Sequence, residues 1–176
     1  MVSEAEMLHL QSLPVFAGVD RAGIAEVLPS ADKSDLAQGQ SLLGDGGPPD
    51  ALFVLLSGKV EVVVPNREGG DLLLAQLGPG AVFGEVGLFI GGNGPAFVRA
   101  AEPTTLLRFP YAGFRQLMDG NCLPAYRVVY NLAQLLAMRL RAADAQLAAM
   151  CDPQTPPPAE DDLDRLRRIF FTDWAV

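Results

Sequence analysis

The sequence predicts an α+β domain, a roll or sandwich of short antiparallel strands held between helices. Three observations predict it. From Lys33 to Phe109 the chain is a series of short β-rich runs separated by Gly, Pro and Asn turns. Ahead of that stretch, residues 3–12 and 20–29 have helical character. Behind it, Tyr126 to Met150 contains no glycine or proline.

Taken in order, Asp20 is placed to cap a helix carrying Ile24, Val27 and Leu28. Gly39 to Leu43 opens the strand region. Leu52 to Leu56 is an apolar strand, Ser57-Gly58 a turn, and Val60 to Val64 an alternating strand that reads as the partner of the first. Val60–Val64 and Leu72–Leu77 flank the polar loop Pro65 to Asp71, which is a hairpin signature. Phe97–Ala101 and Thr104–Phe109 read as another strand pair around Glu102-Pro103. Tyr111 to Met118 then reads as a short helix stopped near Gly120. In the long helix, Val129, Leu132, Leu136, Leu140, Ala143 and Leu147 recur at spacings of three and four, giving an apolar stripe. Asp152-Pro153 to Pro158 is a stiff, proline-rich stop. Beyond it, Leu163, Leu166, Phe170 and Trp174 fall on one side of a helix, widened by Ile169 and Phe171. The expected organisation is therefore residues 1–150 as one domain, 151–162 as a Pro-rich and acidic linker, and 163–176 as a short amphipathic helix.

A length of 176 residues suits one compact core. The formal net charge of −8 argues against a nucleic-acid partner, because phosphate binding needs clustered Lys and Arg. The one dense basic run, Arg165-Leu166-Arg167-Arg168, follows Glu160-Asp161-Asp162 and Asp164, which balance it. No apolar run has the length of a membrane span, and the first residues lack the pattern of a secretory signal. Cys122 and Cys151 have no metal-ligand spacing, and His9 has no partner nucleophile. No nucleophile elbow, phosphate loop or zinc motif is present, so no catalytic residue, metal site or enzymatic activity is expected. A cytoplasmic protein is the expectation.

Several segments carry a family resemblance. Leu13-Pro14-Val15-Phe16-Ala17-Gly18, Gly39 to Leu43, Leu52 to Val62, Leu77-Gly78-Pro79-Gly80-Ala81-Val82-Phe83-Gly84-Glu85 and Phe83 to Leu88 follow one another in the order and spacing of the cyclic-nucleotide-binding domain family. The resemblance spans roughly Leu10 to Met150. It implies an eight-stranded antiparallel β-roll, the jelly roll, which periodicity alone does not choose over another sandwich.

The resemblance also implies a site. In that family small residues of a phosphate-binding cassette let the chain approach the ligand, a glutamate accepts the ribose hydroxyl and an arginine pairs with the cyclic phosphate. Gly84, Glu85 and Gly87 match the first two roles, with Val86 between them in the cassette. The arginine position reads Gly94, followed by Pro95, which has no backbone N–H to donate, and Ala96. Losing a forked arginine from an enclosed anion site costs about 2–5 kcal/mol, and Glu85 left without a counter-charge repels the anion. Arg99 is mid-strand and offers little rescue, and Ala143 and Asp144 stand where family members carry hydroxyls that contact the base. Glu85 has a second reading, in which it fastens the cassette loop by accepting backbone N–H groups.

The family's long helix covers the pocket and, in bacterial transcription regulators, forms the dimer seam, which places Leu132, Leu136, Leu140 and Leu147 at a homodimer interface. Such regulators continue into a winged helix-turn-helix, for which residues 151–176 leave no room, so DNA binding by this chain is not expected. The expectation is a regulatory or protein-interaction module in signalling, without a cofactor and with weak or no cAMP or cGMP binding. Two alternatives stand beside it, a cyclic-nucleotide sensor with a rearranged pocket and a transcription regulator acting through a separate DNA-binding partner. Residues 163–176 either cap their own domain or anchor a protein partner.

Overall fold

The computed structural model describes residues 2–43, 50–65, 70–91 and 97–150. Helices α1 (Glu4–Ser12) and α2 (Arg21–Val27) come first, with a 3-10 turn at Pro14–Phe16 between them. Asp20 caps α2 by accepting from Gly23 N at 2.8 Å, as the sequence predicts; Ser3 and Glu6, not singled out from the sequence, form a reciprocal capping box on α1. Eight strands follow: β1 (Asp32–Leu36), β2 (Ser41–Leu43), β3 (Ala51–Ser57), β4 (Val60–Pro65), β5 (Asp71–Leu77), β6 (Val82–Phe83), β7 (Phe97–Ala100) and β8 (Thr104–Pro110). Helix α3 (Glu85–Ile90) interrupts them between β6 and β7, and α4 (Tyr111–Asp119) and α5 (Leu123–Met150) close the domain.

The strands form two antiparallel sheets, ordered β1-β8-β3-β6 and β2-β7-β4-β5. This is the predicted jelly roll, with two corrections to the local pairing. β4 and β5 do form a hairpin, from Val60 opposite Leu77 to Pro65 opposite Asp71. β3 and β4, read from sequence as a hairpin, lie in different sheets; so do β7 and β8. The reason is local. Gly58 has φ +84, and a Cβ there would meet the Pro103 carbonyl oxygen at 2.4 Å, so the Ser57-Gly58 turn packs against the Glu102-Pro103 corner. Thr104 fastens the two, its hydroxyl taking part in hydrogen bonds with Lys59 N, Lys59 O and Glu102 O. Both connections cross from one sheet to the other at that point.

Ala51 to Leu56 of β3 are all buried, the pattern of a strand covered on both faces. The apolar side chains between the sheets run continuously into Leu10, Val15, Phe16, Ile24 and Val27 of the N-terminal segment and Phe114, Ala125, Val128 and Leu132 of α4 and α5. Asn131 secures α5: its buried amide donates to Val15 O at 3.0 Å and Ala17 O at 2.9 Å. Tethering two carbonyls at the end of the 3-10 turn fixes the angle at which the long helix leaves the roll. Among the described residues no helix is long and apolar enough to cross a membrane. Cys151 and the segments 151–162 and 163–176 lie outside the described residues.

Candidate functional site at the cassette helix

The cassette is built at the junction of β6 and α3. Gly84 caps α3 with φ +85, and a Cβ on it would meet the Ala51 carbonyl oxygen at 2.4 Å. Glycine is therefore required twice, for the left-handed conformation and for the close approach to β3. The Tyr111 hydroxyl, at the start of α4, donates to the Gly84 carbonyl and ties the loop down from the other side. Its pKa is pushed up to about 12, by burial first and then by the negative charges of Glu85 and Asp50.

Held in this way, Glu85 is buried, with 5% of its surface exposed. Its carboxylate faces α5, where Arg139 Nη1 lies 3.3 Å from Oε1. Burial pushes the Glu85 pKa above the ordinary carboxylate value, against the pull of its own backbone N–H and of the Arg139 charge. Burial likewise lowers Arg139 to about 10, with Glu85 drawing it back up. The contact is thus an ion pair in a poorly solvated setting, joining residues 54 positions apart. Gly87 is buried in α3, whereas Val86, Phe89 and Ile90 are exposed. Gly94, Pro95 and Ala96 lie outside the described residues.

The structure bears on three expectations. The sequence argument leaves Glu85 without a counter-charge, but Arg139 supplies one. Arg99, mid-strand in β7, is taken up by Glu61 at 3.0 Å and Asp71 at 2.9 Å. Leu132, placed at a dimer seam, is fully buried in its own domain. Leu136 is half-buried and Leu140 exposed; the Leu147 side chain lies outside the described residues. Sequence reasoning missed Arg139, and the signal was present. Val128, Leu132, Leu135 and Arg139 are spaced four, three and four apart, so an arginine interrupts the inward face of an otherwise apolar stripe.

The profile of the cyclic nucleotide-binding domain family matches residues 33–121, and the β-roll, the cassette helix and the long α5 occur in the order that family requires. This chain belongs to the cyclic nucleotide-binding domain family. A cyclic AMP receptor protein of Thermus thermophilus is 34% identical over 138 residues, which cover 78% of this chain and 62% of that protein. The crystal structure of the Thermus thermophilus catabolite activator protein superposes with a TM-score of 0.67, with 35% identity, over 78% of this chain and 62% of the other. The N-terminal domain of a transcriptional regulator from Streptomyces coelicolor gives a TM-score of 0.65 at 28% identity, covering 74% of this chain and 93% of that one. The chain thus spans less than two thirds of the Thermus regulator it matches.

Among the described residues no group of His, Cys, Asp and Glu could hold a metal ion. The chemistry on offer is recognition: one buried carboxylate able to accept from a hydroxyl or a guanidinium, and one guanidinium on a helix able to engage it or let it go.

Proposed function

We propose that this cyclic nucleotide-binding domain is a regulatory module in which α5 is latched to the cassette through Arg139 and Glu85, and that it binds cAMP and cGMP weakly or not at all. The ion pair carries the reading. A ribose hydroxyl has to compete for Glu85 with an arginine already in place, while Gly94 and Pro95 leave the cyclic phosphate without its forked partner. Calorimetry with either nucleotide at physiological salt should give no binding tighter than about 100 μM, the level expected when one ionic anchor is lost from a micromolar site. Micromolar binding contradicts the proposal.

A second reading, a sensor with a rearranged pocket, is favoured by Arg139 itself, a guanidinium already at the cassette. Under that reading nucleotide binding is micromolar and is lost in Arg139→Ala. The module acts in the cytoplasm as a homodimer through the exposed side of α5, is not an enzyme, and does not itself bind DNA, in keeping with its charge of −8. Any control of transcription runs through a separate DNA-binding partner.

A further inference from the structure

The first two turns of α5 and the corner leading into α2 enclose a groove of about 630 Å³ lined by Gly18, Val19, Leu123, Tyr126, Arg127 and Tyr130. It lies at the opposite end of α5 from Met150. Its apolar surface is uncovered, with Leu123 77%, Tyr126 44% and Tyr130 55% exposed. Both tyrosine hydroxyls already have partners, Tyr126 donating to Met118 O and Tyr130 accepting from Gln134. What the groove presents is therefore aromatic and aliphatic surface with one charge of each sign, Arg127 and the α2 cap Asp20. Arg127 stacks over the Tyr130 ring, 5.9 Å from its centroid, and makes no ion pair among the described residues.

We propose that residues 163–176 of the same chain occupy this groove. The reach is adequate. From Met150 back to Tyr130 is twenty helical residues, about 30 Å, and the proline-rich residues 151–162, extended, span about 37 Å. The segment then runs antiparallel to α5 over its first turns. The surfaces are complementary. The match is apolar: Leu163, Leu166, Phe170 and Trp174 recur in the sequence at helical spacing, and the exposed Leu123, Tyr126 and Tyr130 offer such a stripe the surface it needs. The proposal does not depend on whether the cassette binds a nucleotide. It also leaves free the part of α5 beyond Tyr130.

Trp174 is the chain's single tryptophan and so reports on the contact directly. In the whole chain its emission should be shifted to the blue and shielded from acrylamide, at dilutions where only one copy is present. Tyr130→Glu and Leu123→Glu, both at exposed positions and therefore compatible with folding, should each move the emission to the red and open Trp174 to the quencher. Far-ultraviolet circular dichroism should still report a folded domain. Phe170→Asp in the segment itself should do the same. A solvent-exposed Trp174 in the wild type overturns the proposal, as does a shielded Trp174 indifferent to the groove substitutions, which would place the segment elsewhere. Shielding that disappears on dilution also overturns it, because the occupant would then be a second copy's segment.

Discussion

At Glu85, burial and charge act in opposite directions, and which one prevails has a measurable sign. Its pKa in the folded protein lies above the ordinary 4.5, so the folded state takes up the proton more readily than the unfolded chain. The stabilising contribution of that proton is complete below about pH 4.5 and is lost as pH rises through the raised folded value. Relative to Glu85→Gln, which cannot ionise, the wild type should therefore lose stability from about pH 4.5 upward. Urea unfolding of both proteins between about pH 4 and 8 measures the difference. A wild type that gains on the variant as pH rises would mean that Arg139, not burial, sets the balance. Gly84 next to it has no such latitude, since its φ of +85 and the 2.4 Å approach to Ala51 O rule out any side chain.

Helix α5 has two distinct sides, and substitutions on each should behave differently. Leu132 is wholly buried and Leu140 is 63% exposed, so a charge at Leu132 unfolds the domain whereas a charge at Leu140 does not. In a two-fold seam every substitution is made twice, and a charge at Leu140 is doubly costly to association. Light scattering should give a wild-type mass near twice 18.7 kDa and Leu140→Glu near once that value, with unchanged circular dichroism. A monomeric wild type at tens of micromolar contradicts the seam.

The elements themselves are legible in the sequence because their causes are local: Asp20 at the α2 cap, alternation in Val60 to Val64, and the absence of Gly and Pro from Tyr126 to Met150. Pairing is not local. Whether β3 joins β4 or β8 depends on Gly58 meeting Pro103, some forty-five residues away along the chain, and no periodicity encodes that. For the same reason the cassette was readable at Gly84 and Glu85 but not at Arg139. Its inward phase could be counted, yet its partner belongs to another part of the fold.

At the scale of the whole molecule, a two-sheet roll holds a cassette helix on one side and anchors a 28-residue helix through Asn131. Arg139, eight residues further along, is where that helix meets the cassette, so any change at the cassette that displaces Arg139 is felt along the exposed remainder of α5. On the proposed reading, a ligand or partner shifts α5 only as far as it prefers one of that helix's positions. The central claim is that the Arg139–Glu85 pair holds α5 on the cassette. Amide hydrogen exchange of the wild type and Arg139→Ala tests it most directly. Removing the guanidinium leaves a buried carboxylate that has lost its partner, a cost of about 1–3 kcal/mol, and opening of the two elements should rise by roughly five- to hundred-fold. Peptides covering residues 85–90 and 135–150 should exchange faster, with β3 and β8 unchanged. Unaltered exchange in both of those segments would contradict the claim.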